Sequence, residues 1–215
     1  MDRKRILLGF YDRLFEFFGP QEWWPARSRF EVIIGAILTQ NTAWKNVEKA
    51  INNLRSARVL NYRKLKELSQ RRLASLIKPA GYYNVKAERL KSFINFLSSE
   101  YQGNLSRMLE EKTPVLRQRL LEVRGIGKET ADSIILYAAG KPVMVIDAYT
   151  KRIFLRHGLI SKNSSYDYIQ ELVMDNLPGG SLFYNEFHAL IVRLGKEYCL
   201  KKPRCNTCPI APLKY

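Results

Sequence analysis

The 215-residue sequence is poor in cysteine, histidine and acid, and it has no long apolar run. Its three cysteines, Cys199, Cys205 and Cys208, all lie in the last seventeen residues. An odd, clustered set is not a disulfide framework, and a cytoplasmic protein is expected. The two histidines, His157 and His188, stand apart, and neither is given a catalytic role. The longest strongly apolar run, Val32 to Leu38, falls far short of the roughly 20 residues that a membrane-spanning helix needs. The opening Met1-Asp2-Arg3-Lys4-Arg5-Ile6-Leu7-Leu8 has too short an apolar region for an export signal. No membrane partner is expected.

What remains is an ordinary globular balance with an excess of base. Hydrophobic residues make up 46% and aromatics 12%, enough for a buried core and too many for a disordered tail. Lys and Arg number 36 against 20 Asp and Glu, a net charge of +16, which favours a polyanionic partner. The apolar spacing is helical throughout. Phe30, Ile33, Ile34, Ile37 and Leu38 share one helix face, with Ser28 and Glu31 set as a capping box. Val47, Ala50, Ile51 and Leu54 repeat the spacing, as do Ala87, Leu90, Ile94 and Leu97. Thr113-Pro114 reads as an N-cap and first helical proline ahead of Leu116 and Leu120. Ala131, Ile134, Ile135 and Ala138 mark a helix closed by Gly140, and Ile169, Leu172 and Val173 another. A last one carries Phe187, Leu190, Ile191 and Leu194 and ends before Gly195. With no sustained alternation, the fold class is all-α.

Two segments carry chemistry. Between two helices stands Val123-Arg124-Gly125-Ile126-Gly127-Lys128. Two glycines around one apolar residue allow a tight turn, and they let backbone N–H groups approach an anion at a helix start. Gly125, Gly127 and Lys128 therefore form a candidate phosphate seat, one that positions a nucleic acid without reading its bases. A plain glycine turn between two helices is the competing reading. Twenty residues past Gly127, Asp147 follows the apolar run Val143-Met144-Val145-Ile146 and precedes a helical stretch. By local sequence it is an N-cap. A carboxylate held there also suits stabilisation of a cationic sugar, and the positive end of a helix favours its charge in either role.

The run from Leu120 to Arg156 resembles the helix–hairpin–helix plus Gly/Pro-Asp segment of the endonuclease III superfamily of DNA glycosylases. The resemblance extends over nearly the whole chain. Leu38-Thr39-Gln40-Asn41-Thr42 and Gly81-Tyr82-Tyr83-Asn84-Val85-Lys86-Ala87 resemble the two segments with which that family wedges into DNA, and the cysteine tail resembles its iron–sulfur loop. The resemblance implies two helical lobes. One is a six-helix barrel over 28–140 with the helix–hairpin–helix at 116–139. The other joins 1–27 to 141–215 and carries Asp147 and the cysteine loop at 199–208. It further implies a monomer acting on double-stranded DNA that contains a damaged base, associated with the nucleoid, with Asp147 as the catalytic carboxylate. Gln40 and Tyr82 would fill the hole left by a flipped nucleotide.

The family's bifunctional members carry an imine-forming lysine two positions after the second glycine, where this chain has Glu129. A carboxylate cannot form an imine, and Lys128 points about 100° away around a helix. A water-using, monofunctional glycosylase is expected. Trp23-Trp24-Pro25, Trp44 and the GIGKE hairpin are most similar to the 3-methyladenine DNA glycosylase III group. An aromatic pocket attracts a cationic alkylated base by cation–π contact; core or lobe-interface packing is the competing reading, equal to it for Trp23 and second to it for Trp24 and Trp44. Alternatives are an endonuclease III-type lyase acting on oxidised pyrimidines, a mismatch glycosylase and a non-catalytic DNA-binding protein. Cys199-x5-Cys205-x2-Cys208 departs from the family's usual C-x6-C-x2-C-x5-C, and Lys214 occupies the fourth place. A [4Fe–4S] cluster with three cysteine ligands, a tail cut short, a loop without metal and a zinc site all remain open. Lys128 and the basic loop at 201–204, with Arg27, Lys45 and Lys86, are expected to supply the charge facing DNA.

Overall fold

The computed structural model describes residues 2–211, which form helices and connecting loops with no strand among them. Helices α1 to α6 span Arg3–Phe18, Arg29–Leu38, Trp44–Ser56, Tyr62–Glu67, Gln70–Leu76 and Tyr83–Tyr101. Helices α7 to α12 span Leu105–Glu110, Thr113–Glu122, Lys128–Ser133, Ala148–Arg156, Tyr166–Met174 and Ser181–Glu197. The all-α expectation holds, and no described helix is long and apolar enough to cross a membrane.

The chain divides into two compact units, one made of Met1–Pro25 with Gly140–Tyr215, the other of Ala26–Ala139. The second unit is built around α2, whose residues Phe30 to Leu38 are all buried. Against it pack α3 and α6, which contribute Val47, Ile51 and Leu54 and then Leu90, Phe93, Ile94 and Leu97. Each such aliphatic or aromatic side chain contributes about 1.5–3 kcal/mol when fully buried. In the first unit, α12 packs on α1 and α10, and Phe10, Phe154, Phe187, Leu190 and Leu194 are completely buried.

Several sequence expectations change in detail. Ser28 caps α2, accepting from the Glu31 amide at 3.2 Å. The Glu31 carboxylate, however, pairs with Arg55 rather than closing the box. Thr113 is the first residue of α8 rather than its cap. Gly195 does not end α12; the helix runs on to Glu197, and the glycine is needed because the Tyr149 ring lies against its Cα. The helix after Gly127 opens into a π-helical turn over Ile134–Ala138 before Gly140 ends it with φ +66°. The short helices α4, α5 and α7 lack enough apolar repeats to show in the pattern.

The hairpin helices are tied by one ion pair. Arg117 on α8 grips Asp132 on α9 with Nε at 2.7 Å from Oδ1 and an Nη at 3.2 Å from Oδ2. Asp132 is fully buried. Removing Arg117 takes two donors from that buried carboxylate. Arg117→Ala is therefore expected to lower unfolding stability in urea by about 3–5 kcal/mol, with Arg117→Met/Asp132→Leu recovering much of the loss.

Candidate functional site

Asp147 is placed by the buried segment 143–146, which is itself held from α11. The Gln170 side-chain amide donates to the Met144 carbonyl at 2.6 Å, and the Ile146 amide donates to the Tyr166 hydroxyl at 3.3 Å. The chain then turns into α10 with Asp147 as N-cap. Its Oδ1 accepts from the Thr150 amide at 2.7 Å and from the Thr150 hydroxyl at 2.9 Å. Its Oδ2 lies 3.8 Å from Nε2 of His188, and the Asp147 side chain keeps 12% exposure. The N-cap reading is thus correct, and it leaves one carboxylate oxygen outside the capping bonds.

His188 was invisible as a site residue. It stands 41 positions away on α12, and only the packing of α10 on α12 brings it beside Asp147. Burial pushes its pKa below the ordinary 6.5; the Asp147 charge opposes this and Lys196 adds to it. At neutral pH the ring next to Asp147 is uncharged.

Trp23 and Trp24 lie in the same unit as Asp147, with ring centroids 5.2 Å apart and planes at 51°. The Lys196 ammonium sits 5.8 Å from the Trp23 ring centroid. The segment before them is fastened to α12, because the Gln21 amide donates to Glu186 at 2.9 Å and Arg193 donates to the Phe18 carbonyl at 3.2 Å. Both tryptophans are half-buried and Pro25 is exposed. Trp44, also half-buried, begins α3 in the other unit.

That other unit contains the hairpin. Val123 and Ile126 are buried beneath the turn, while Gly127, Lys128 and Glu129 are exposed. Gly125 has φ +89°, and a Cβ there would run into the Arg89 side chain, so the position requires glycine twice over. Gln40 is bonded to the turn. Its Nε2 donates to the Gly125 carbonyl and to the Thr130 hydroxyl, both at 2.9 Å, and its Oε1 accepts from Arg89. Tyr82, in contrast, is 75% exposed, at the start of α6 with φ +44°.

Lys86 overturns an expectation. It is 1% exposed and adds nothing to the surface charge. Its Nζ donates to the carbonyls of Leu38 and Ala80, each at 2.8 Å, and to the Thr42 hydroxyl. Burial and then Arg89 lower its pKa to about 8. Its three acceptors work against that pull.

The cysteine loop is held by α10. Arg156 donates to Cys199 Sγ at 3.1 Å, to the Leu200 carbonyl at 2.6 Å and to the Lys201 carbonyl at 3.0 Å. Arg152 donates to the Cys199 and Gly195 carbonyls at 2.7 and 2.9 Å. Cys199 is buried, Cys208 half-buried and Cys205 exposed. Burial raises the Cys208 pKa, and the Cys199 and Cys205 sulfurs raise it further. Among the described residues no three His, Cys, Asp or Glu side chains form a metal-holding group. Lys214 lies outside the described residues. The donors that are described do not make up the four thiolates of a cubane cluster.

Three comparisons bear on this arrangement. The pattern of the HhH-GPD superfamily of base excision DNA repair proteins matches residues 34–178. A Methanocaldococcus jannaschii protein, named only provisionally as a DNA repair glycosylase, is 49% identical over 202 residues, covering 93% of this chain and 91% of its own. Endonuclease III of Thermotoga maritima is 30% identical over 183 residues, covering 83% and 79%. Among solved structures, the 3-methyladenine DNA glycosylase MagIII of H. pylori, bound to 1,N6-ethenoadenine, superposes with a TM-score of 0.78. It is 31% identical and covers 92% of this chain and 98% of its own.

The buried histidine sets a pH dependence. The folded protein takes a proton at His188 less readily than the unfolded chain does, so stability is retained above the ordinary pKa and lost as pH falls below it. The melting temperature is expected to drop between about pH 7 and 5, and His188→Gln to flatten that drop.

Proposed function

The chain belongs to the HhH-GPD superfamily of base excision DNA repair proteins, and from that premise we propose that it is a monofunctional glycosylase acting on alkylated purines such as 3-methyladenine. The observation that carries this reading is Asp147. One of its oxygens is spent on capping α10, and the other is left to face a reacting sugar. Departure of the base leaves an oxocarbenium-like sugar, whose positive charge a fixed carboxylate stabilises. The same carboxylate orients a water, or takes its proton, as that water attacks the anomeric carbon. Thr150 fixes the carboxylate in advance, so no reorganisation is needed at the moment of reaction. An alkylated purine already carries the positive charge that eases its departure, so a second acid is not required.

The target nucleotide leaves the stack to reach Asp147. The exposed ring of Tyr82 is suited to stack on bases at the gap. Gln40 would join it after exchanging its bonds to the hairpin for bonds to DNA. Gly125, Gly127 and Lys128 would seat a backbone phosphate. Trp23, Trp24 and Pro25, in the unit of Asp147, are assigned to the base pocket, where aromatic faces favour a cationic base, and Trp44 is a further aromatic candidate carried by the other unit. Glu129, at the position of the imine-forming lysine, is exposed in the first turn of α9, where it complements the helix dipole. The similarity to MagIII supports the substrate class. Cys199, Cys205 and Cys208 enter only as parts of a basic loop, and a four-thiolate cluster would need a donor beyond the described residues.

Asp147→Asn separates the two roles of the residue, because asparagine caps a helix about as well as aspartate. The variant is expected to keep the wild-type melting temperature and to lose at least about 100-fold in single-turnover release of 3-methyladenine from alkylated duplex. Unchanged release would remove Asp147 from the chemistry. Borohydride is expected to trap no covalent protein–DNA adduct with the wild type; an adduct at Lys128 or any other lysine would establish lyase chemistry instead.

A further inference from the structure

Two cations on α6, one helical turn apart, lie beneath the segments assigned to the DNA wedge. Lys86 holds the first segment at both ends, through the Leu38 carbonyl and the Thr42 hydroxyl. It belongs to the second and binds the residue just before it through the Ala80 carbonyl, to which the Thr42 hydroxyl also donates at 2.6 Å. Its own backbone amide donates to the Tyr82 carbonyl at 2.9 Å, fastening the left-handed residue that presents the exposed ring. Arg89 continues the arrangement. It donates to the Gln40 side chain, and its aliphatic stem covers Gly125 of the hairpin.

A buried ammonium is costly unless every proton finds an acceptor. Here three oxygens converge on it, from Leu38 at the end of α2, from Thr42 and from Ala80, each two residues from Gln40 or Tyr82. A lysine serving phosphate would not be 1% exposed.

We propose that Lys86, seconded by Arg89, is a positioning residue that keeps Gln40 and Tyr82 in register with the hairpin, so that a protein lacking it still grips DNA and fails to insert its wedge. This inference rests on the reading of Gln40 and Tyr82 as wedge residues. Phosphate binding and base opening are thereby mechanically joined. The hairpin that seats the backbone is bonded to Gln40, and the helix that braces Gln40 also carries Tyr82 at its start.

The test uses a duplex in which a tetrahydrofuran abasic analogue faces 2-aminopurine, together with the same duplex undamaged. Wild type is expected to change the 2-aminopurine fluorescence as the wedge meets the orphaned base. Lys86→Met is expected to slow or diminish that change at least about tenfold, since small misplacements are costly in such sites. Its affinity for the undamaged duplex should stay within about twofold, with an unchanged slope of log K against log salt, whereas Lys128→Met should reduce the slope by about 0.9. Arg89→Met should show the insertion defect and Arg89→Lys should restore part of it. Should Lys86→Met not fold, Thr42→Val, which removes only the bridging hydroxyl, carries the same expectation at about a third of the size. Variants that insert like wild type overturn the proposal. So does a loss of insertion that merely parallels loss of affinity for undamaged DNA. Wild type that binds the abasic duplex with no fluorescence change overturns the wedge reading itself, and leaves the assignment of Asp147 to be judged by base release.

Discussion

Everything proposed for the chemistry depends on one constraint: a single carboxylate must cap a helix and still face a substrate. The α10 start meets this constraint with the two Thr150 donors, which take one oxygen of Asp147 and fix the plane of the other. The rest of α10 keeps that start from moving. Tyr149 packs on the bare Cα of Gly195, with Arg152 stacked 5.0 Å from its ring centroid. Arg152 and Arg156 then bind carbonyls after the end of α12. Helix α10 and the cysteine loop are therefore one mechanical piece.

The hairpin obeys a similar economy in the other unit. Its glycine turn is usable as an anion seat only if its flanking helices do not splay, and the Arg117–Asp132 pair holds them together. The side of Gly125 where a Cβ would stand is closed by the Arg89 side chain. Gln40 spends its amide on the Gly125 carbonyl and the Thr130 hydroxyl, which ties the segment after α2 to the glycine turn.

How much of this was legible in the sequence follows from the range of each interaction. The long helices were legible, because five apolar residues repeating at helical spacing put one continuous stripe on a helix and scatter over both faces of a strand. Asp147 as a cap was legible for the same reason, the relevant donor being three residues away. The glycine turn was legible in outline, while the requirement at Gly125 was not, since Arg89 is 36 positions upstream. His188 was illegible because nothing in its neighbourhood marks a histidine that packing will place beside a carboxylate. Lys86 was misread as surface charge because three carbonyl and hydroxyl partners from two loops leave no local trace.

That misreading alters what the net charge of +16 means. Part of the basic excess points inward, onto the carbonyls that end helices. Arg193 binds Phe18 at the end of α1, Lys86 binds Leu38 at the end of α2, Lys91 binds Leu65 and Lys66 in α4, and Arg152 binds Gly195 in α12. Helix C-termini gather partial negative charge and unpaired carbonyls, and cations are the natural partners of both. Neither α1 nor α2 has a basic residue in its own last turn, so the cation comes from another helix and ties two elements together. Cations so engaged have part of their donor capacity taken up within the fold. The charge free to act at the surface is smaller than the composition implies, and exposed positions such as Lys128, Lys201, Lys202 and Arg204 carry part of it. In a counterion-release measurement the salt slope counts only phosphate contacts. A basic composition here records two needs at once, adhesion to a polyanion and the closing of helix ends, and only the structure apportions residues between them.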